Sequence, residues 1–192
     1  MAGQDQRDPR LLSAKITAWQ PEPLFAGQTV FLLGGGPSLT PDDVARLRDR
    51  PTIAVNMAAA LAPWADVLFF RDLDWFLRNR PLVGGWAGLA VTINRSAAIQ
   101  GSAPGAPSVK RVATVHCADF PAAGSAAIRY GRSSGHLAVS LAIAMGARRV
   151  ALLGYDCRFV DGRSHFHDQY SAPIEHVYTI DFLPAWRGWG VA

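Results

Sequence analysis

The sequence contains only two cysteines, Cys117 and Cys157, which form neither a metal-type pair nor a disulfide framework. This scarcity is typical of a protein of the reducing cytoplasm. The sequence also lacks a run of about eighteen apolar residues, which argues against a membrane span. Its N-terminus, MAGQDQRDPR, is too polar for a signal peptide. We therefore expect a cytoplasmic protein.

Two common phosphate-binding motifs are missing as well. No G-x-x-x-x-G-K-S/T motif occurs, which argues against a P-loop NTPase. Gly34-x-Gly36 begins like the dinucleotide fingerprint, but Leu39 occupies the place of the third glycine, which disfavours NAD. The arginines form no long basic run, so the net charge of +4 suits an anionic ligand without indicating nucleic acid.

Length and hydropathy pattern predict the fold class. A chain of 192 residues with 49% hydrophobic and 18% charged residues is expected to be globular. Apolar strands alternate with helical patterns, which predicts an α/β, Rossmann-like three-layer sandwich with a mostly parallel sheet. Residues 1–28 are interpreted as an N-terminal lead-in and residues 29–192 as a single α/β nucleotide-binding domain. The residues from Gly188 onward look like the start of a further strand, which suggests that the chain ends within the fold.

The periodicity also predicts the elements. Strands are expected over Thr29–Leu33, Thr52–Val55, Asp66–Phe70, Leu89–Ile93, Lys110–Val115 and a buried Arg149–Leu153. Helices are expected over Pro41–Arg50, Leu73–Asn79, His136–Met145 and Ile174–Trp186. Residues 94–108 are rich in Gly, Ser, Pro and Ala and are predicted to be a loop.

The most informative segment is VFLLGGGPSLTPDD, residues 30–43. Apolar residues lead through three glycines to a helix start, where Thr40 can cap and Pro41 suits the first helical position. Glycines let a backbone approach an anion, and free N–H groups at a helix start bind it. The segment predicts a nucleotide phosphate site, although an ordinary βα turn also needs glycine. Its candidate nucleotide-binding residues are Gly34, Gly35, Gly36, Pro37 and Ser38, and a Gly36→Val variant is expected to fold without binding nucleotide.

Other polar residues follow predicted strands, where ligands bind in open α/β sheets. Asn56 lies about twenty residues after the glycines, where dinucleotide folds read the ribose, or it makes only local backbone bonds. Asp72 and Asp74 form a D-x-D pair that suits Mg²⁺, although Asp74 equally suits a helix cap. Tyr155 and Asp156 follow the last predicted strand.

Two further segments carry candidate chemistry. Ser133, Ser134 and Gly135 precede a helix, and they predict a phosphate or substrate contact, plain capping, or both. His165 and His167 lie in a polar loop and are candidate general bases, because the unperturbed pKa of histidine is near 6.5. The same pair alternatively ligates a metal or lies in solvent.

Together the blocks GGGPSL, AVN, FFRDLDW, SSGHLAVSLAIAMGARRVALLGYD and GRSHF resemble a known group. They are similar to the bacterial sialyltransferase fold of lipooligosaccharide synthesis. They are closer to the MptE-like and Maf-type (motility-associated factor) family, whose members are of unknown or poorly known function. That family includes flagellin glycosylation factors, archaeal 6-hydroxymethylpterin diphosphokinases and phage or prophage members. The resemblance covers about residues 29–170.

The resemblance implies a nucleotide cradled by the glycine turn, with Asn56 at its sugar or base. Ser133–Gly135 would lie at the reacting end of the donor, and Tyr155–Asp156 would border the phosphate or the acceptor. His165 or His167 would match the loop histidine that the sialyltransferases use as a base, and Arg163-Ser164-His165 fits their pattern better.

The leading functional expectation is a glycosyltransferase-like, nucleotide-dependent transferase with a nucleotide-sugar donor, an unknown hydroxyl acceptor and no required cofactor. Backbone donors of residues 35–38 would neutralise the phosphate. One alternative is a Mg²⁺-dependent pyrophosphokinase of the hydroxymethylpterin diphosphokinase type, with Asp72 and Asp74 holding Mg²⁺ at ATP. Another is a non-catalytic nucleotide-binding or phage accessory protein. The sequence leaves the base, the acceptor and the oligomeric state open.

Overall fold

The structure, a computed structural model, describes residues 17–102, 108–169 and 176–187. Its strands are β1 (Thr29–Leu33), β2 (Thr52–Val55), β3 (Val67–Phe70), β4 (Leu89–Thr92), β5 (Val109–Arg111), β6 (Ala113–Val115), β7 (Ala127–Arg129) and β8 (Arg149–Leu153). Its α-helices are α1 (Pro41–Ala45), α2 (Ala58–Leu61), α3 (Leu73–Arg78), α4 (Arg80–Gly84), α5 (Arg95–Gln100), α6 (Ser134–Ala144) and α7 (Leu183–Arg187). A π-helical segment, Tyr178–Phe182, leads directly into α7.

Six strands form one sheet in the spatial order β5-β4-β3-β2-β1-β8, and every neighbouring pair is parallel. Phe31 of β1 is in register with Thr52 of β2 on one side and with Ala151 of β8 on the other. β6 and β7 form a separate parallel pair. The predicted α/β, Rossmann-like sandwich with a mostly parallel sheet is confirmed.

The direction in which the chain adds strands reverses at β1. Strands β2 to β5 follow on one side of β1, whereas β8 lies on the other side. Such a reversal leaves a crevice outside the carboxyl ends of the strands, and ligands of open α/β sheets bind there. In this chain the glycine turn after β1 and the Gly154–Asp156 turn after β8 border the crevice.

Alternating strand side chains bury one hydrophobic layer on each face of the sheet. On one face Leu32 lies in a core cluster with Leu137 and other apolar residues of α6, which is buried along nearly its whole length. On the other face Phe70 packs against Trp75 of α3 at a ring distance of 5.2 Å. Each such side chain contributes about 1.5–3 kcal/mol on burial. The two hydrophobic layers therefore fix the position of α6 relative to the strand ends.

The helix predicted over Pro41–Arg50 ends earlier than expected. Thr40 caps α1 by accepting a hydrogen bond from the Asp43 amide at 3.2 Å, as the sequence predicts. After α1 the chain continues in tighter bonds between residues three apart, such as that from the Leu47 amide to the Val44 carbonyl at 3.0 Å.

The loop predicted for residues 94–108 is wrong over its first part. Asn94 caps α5 by accepting from the Ala97 amide at 3.0 Å, and Ala97 and Ala98 are buried. Alanine is the strongest helix former, so counting it with Gly, Ser and Pro concealed the helix. Residues 103–107 lie outside the described residues.

The single strand predicted over Lys110–Val115 divides into β5 and β6. The neighbouring β4 ends at Thr92, whose carbonyl accepts a hydrogen bond from the Val112 amide at 3.0 Å. Beyond Val112 none of the described strands of the main sheet pairs with the chain, and Ala113 pairs instead with Ala127 of β7. The hydropathy pattern predicted neither β7 nor the short helix α4.

The last predicted strand, Arg149–Leu153, has the expected bounds but is not buried. β8 forms an edge of the described sheet, and Leu152 is 36% exposed. The suggested strand from Gly188 onward, and Ile174 at the start of the predicted final helix, lie outside the described residues. Nowhere in the described ranges is a helix long and apolar enough to cross a membrane.

Candidate functional site

A cavity of about 360 Å³ opens at the carboxyl edge of the main sheet, at the reversal beside β1. It brings together most of the site residues that the sequence predicts. Those in its lining are Gly34, Gly35, Gly36, Asn56, Asp72, Ser133, Ser134, Gly135, Tyr155, Asp156, His165 and His167. Pro37, Ser38 and Asp74 are outside this lining.

The glycine turn is bonded to the protein rather than left open for an anion. The Gly36 amide donates to the Gly154 carbonyl at 2.7 Å, and the Gly34 amide donates to the Leu153 carbonyl at 2.8 Å. Ser38 donates to Oδ2 of Asp156 twice, from its hydroxyl at 2.9 Å and from its amide at 3.2 Å. The Asp156 carboxylate therefore takes the Ser38 donors, and the Gly154 carbonyl takes the Gly36 amide, that the sequence assigned to a phosphate.

Gly36 is required by a close approach of two turns. A Cβ atom on Gly36 would lie 2.6 Å from the Gly154 carbonyl oxygen and would collide with the Asp156 carboxylate. A valine at position 36 is therefore expected to destabilise the domain, because protein atoms fill the space beside this glycine, and the expectation that Gly36→Val still folds stays a prediction. The ordinary turn geometry that the sequence left open accounts for Gly36.

The Tyr155 ring lies between two glycines. A Cβ atom on Gly34 would meet the ring at 2.8 Å, and one on Gly135 would meet it at 2.6 Å. The ring fixes the β1 turn against the start of α6, and burial raises the pKa of its hydroxyl well above the usual value. The Tyr155 hydroxyl lies within the protein without a hydrogen-bond partner among the described residues.

Asn56 has a backbone conformation that is unusual for a residue with a side chain. Its φ is +52°, in the left-handed region that asparagine tolerates better than most residues. Its Oδ1 atom is buried at the cavity and has no partner among the described residues. Since a buried unpaired oxygen costs about 1–3 kcal/mol, a ligand N–H or O–H at this atom would recover that cost.

Ser133 acts as the N-cap of α6. Its hydroxyl oxygen accepts from the His136 amide at 3.3 Å and lies 2.7 Å from Nδ1 of the same histidine. His136 is fully buried against Trp186, with the ring centroids 4.0 Å apart. Burial, then the nearby Arg129, lowers the pKa of His136 to about 4, so this ring is neutral at pH 7. Capping is therefore shown for Ser133, while its substrate contact stays a prediction.

The two loop histidines lie directly over the glycine turn. The Phe166 amide donates to the Gly35 carbonyl at 3.1 Å, which places the loop against the turn. The rings of His165 and His167 are 5.3 Å apart. Burial lowers the pKa of His165, and burial with the neighbouring His165 lowers the pKa of His167 to about 4. Both rings are neutral at pH 7, as a proton-accepting base must be.

The sequence interpretation missed two arginines at the cavity. Arg71 follows β3 and is held by the Arg132 carbonyl at 3.0 Å and the Tyr130 hydroxyl at 3.4 Å. Arg132 precedes the Ser133 cap and also lines the cavity. Their places at a strand end and a helix start are the same signals that identified Asn56 and Ser133. Cys157, Tyr178 and Phe182 also line the cavity, and nothing in the local pattern indicated the last two.

The D-x-D pair is not brought together at the site. Asp72 lines the cavity and lies 3.9 Å from the Arg71 guanidinium, whereas Asp74 is exposed in the first turn of α3. In the described part of the chain no three His, Cys, Asp or Glu side chains are grouped as metal ligands would be. The Mg²⁺ role of this pair stays a prediction.

Comparison with known proteins adds no assignment. A scan against protein-family models and searches of curated proteins and of solved structures found no match to the chain. The site must therefore be interpreted from its own chemistry.

Proposed function

We propose that the chain is a nucleotide-dependent transferase that moves a sugar from a nucleotide-sugar donor to a hydroxyl acceptor. One observation carries this proposal. Two histidines that are neutral at pH 7 line the cavity, and this cavity lies in the crevice where the strand order of the parallel sheet reverses. That crevice is where nucleotides bind in this class of fold. The sequence blocks that resemble the MptE-like, Maf-type and sialyltransferase group support the same reaction class. Two free cysteines, Cys117 and Cys157, support a reducing cytoplasm as its compartment.

In the proposed reaction, His165 or His167 accepts the proton of the acceptor hydroxyl. The acceptor oxygen then bonds to the transferred sugar carbon, and the bond between that carbon and the nucleotide phosphate breaks. Arg71 and Arg132 both line the cavity, and the guanidinium of Arg71 supplies a positive charge for the departing phosphate. A general base of this kind contributes about 10²–10⁴ in rate.

A thermal-shift screen with CMP, CDP, UDP, ATP and GTP, each with Mg²⁺ or with EDTA, tests the ligand class. A nucleotide at 100 times its Kd should stabilise the protein by about 2.7 kcal/mol. Asn56→Leu, which removes the unpaired acceptor at the cavity, should reduce this shift. Binding of a pyrimidine nucleotide without metal is expected. Absence of a shift with all five nucleotides would contradict the proposal, and a shift that requires both ATP and Mg²⁺ would favour the pyrophosphokinase.

A further inference from the structure

Four polar features of the cavity follow four neighbouring strands. Asp156 follows β8, the glycine turn follows β1, Asn56 follows β2 and Arg71 follows β3. These four strands are consecutive neighbours in the sheet. At about 4.8 Å between strands, the β8 and β3 positions are about 14 Å apart. The cavity therefore has a carboxylate at one end, an unpaired amide oxygen in the middle and a guanidinium at the other end.

The β8 end is unsuited to a phosphate. The Asp156 carboxylate already receives both Ser38 donors, and the Gly36 amide is bonded to Gly154. A phosphate placed here would meet a negative charge and few available donors. Oδ1 of Asp156 and Oδ1 of Asn56 are instead hydrogen-bond acceptors. They suit a ligand that presents hydroxyl groups.

The β3 end is suited to an anion. The Arg71 guanidinium is fixed by two neutral partners, Arg132 O and Tyr130 Oη, and it stacks over the Tyr130 ring with 5.8 Å to the ring centroid. Its acidic neighbour, Asp72, is at 3.9 Å, which is beyond a hydrogen bond, and the side chain of Asp72 is 60% exposed. A fixed guanidinium that is incompletely neutralised is a strong site for a phosphate oxygen.

We infer that the ligand lies across the strand ends with its phosphate on Arg71 and its transferable sugar over the glycine turn, between Asp156 and the loop histidines. The choice of a nucleotide sugar as ligand rests on the proposed function. This orientation reverses the one that the sequence predicts, in which the glycine turn holds the phosphate. It assigns phosphate recognition to Arg71, and it places the sugar's hydroxyl groups within reach of the Asp156 carboxylate and of the unpaired Oδ1 of Asn56.

The orientation can be mapped on the wild-type protein by backbone amide NMR, with inorganic pyrophosphate as the probe. On addition of pyrophosphate, the amide chemical shifts of Arg71 and of residues 130–132 are expected to change, and those of residues 34–38 are not. Shifts centred on residues 34–38, or no saturable shift anywhere, would overturn the inference.

A pair of arginine variants supplies an affinity test with CMP and cytidine by calorimetry. Arg71→Met should weaken CMP binding about ten- to a hundredfold, as loss of a charged hydrogen bond does, and should leave cytidine binding within about threefold of wild type, since cytidine has no phosphate. Arg78→Met is the matched control, because Arg78 lies on α3 outside the cavity lining, and it should change neither affinity.

The two proposals fail in different ways. If pyrophosphate shifts the amide signals at Arg71 but neither CMP nor cytidine binds, the anion site is supported and the proposed nucleotide-dependent transferase is contradicted. If CMP binds equally to wild type and Arg71→Met, the inferred orientation of the ligand is contradicted, whereas the nucleotide site is supported.

Discussion

Gly36→Ala should destabilise the fold by clearly more than the same change at two other glycines, Gly35 and Gly84. The new Cβ would lie 2.6 Å from the Gly154 oxygen and would collide with the Asp156 carboxylate, so the turns after β1 and β8 must separate. Overpacking of this kind costs about 1–3 kcal/mol. Loss of the bond from the Gly36 amide to Gly154 adds about 1 kcal/mol. We therefore expect a loss of about 2–4 kcal/mol in the free energy of unfolding.

Urea denaturation measures that free energy directly, and two glycines are matched controls. A Cβ atom on Gly84, at the end of α4, would meet nothing within 4 Å, so Gly84→Ala should be neutral or stabilising by up to about 1 kcal/mol. The nearest atoms to a Cβ atom on Gly35 belong to the side-chain rings of His165 and His167, at 3.0 Å and 3.7 Å, so Gly35→Ala should disturb the site and cost less than about 1 kcal/mol. Equal stability of the Gly36→Ala and Gly84→Ala proteins would refute the packing account of the turn.

Three further outcomes are expected. The pKa of His136 is lowered from 6.5 to about 4, so the unfolded state binds the proton first and stability falls as pH drops from 6.5 towards 4. At pH 4.5 this loss is about 2–3 kcal/mol. His136→Gln cannot titrate, so its unfolding free energy should decrease less steeply with falling pH than that of wild type. Equal pH dependence in the two proteins would contradict this role of His136. Asp72→Asn should have the same nucleotide affinity in Mg²⁺ as in EDTA, because Asp74, the other carboxylate of the pair, is outside the cavity lining. A loss of affinity that occurs only in Mg²⁺ would support a metal-binding role for Asp72. Asp156→Ala should cost about 0.5–1.5 kcal/mol in unfolding free energy because the exposed Ser38 loses its hydrogen-bond acceptor, and unchanged thermal stability would count against this contact.

The parts of the fold that repeat a simple period were predictable. β1, β2 and β8 have the predicted bounds, and α6 begins two residues before the predicted start because Ser133 caps it. The predictions were wrong where the bounds or the burial of an element depend on its neighbours in the tertiary structure. β5 ends because its neighbour ends, and β8 is half-exposed because the described sheet has no strand beyond it. Neither fact is visible in the local pattern.

The candidate site was predictable by position but not by role. Polar residues after strands do converge on one cavity, because parallel strands bring their carboxyl ends to the same edge. The glycines, however, were taken as space for a phosphate, and Asp156 and Tyr155 fill that space. Only the folded chain shows that the β8 turn packs into the β1 turn. Arg71 has the same strand-end position as Asn56, but the partners that fix its guanidinium, Tyr130 and Arg132, are about sixty residues away in the sequence, so its role was not visible locally.

The rate of donor hydrolysis as a function of pH tests most directly the claim that the loop histidines form a catalytic base. The nucleotide sugar whose nucleotide binds in the thermal-shift screen would be the donor, and wild type would be compared with His165→Ala, His167→Ala and the exposed His176→Ala control. Because burial lowers the pKa of both loop histidines, wild-type turnover should stay constant from neutral pH down to about 6.5 and fall only at lower pH. His165→Ala should lower turnover by about 10²–10⁴ with nucleotide affinity within a few fold, and His176→Ala should change neither. Full activity in His165→Ala, in His167→Ala and in the double variant would contradict the account.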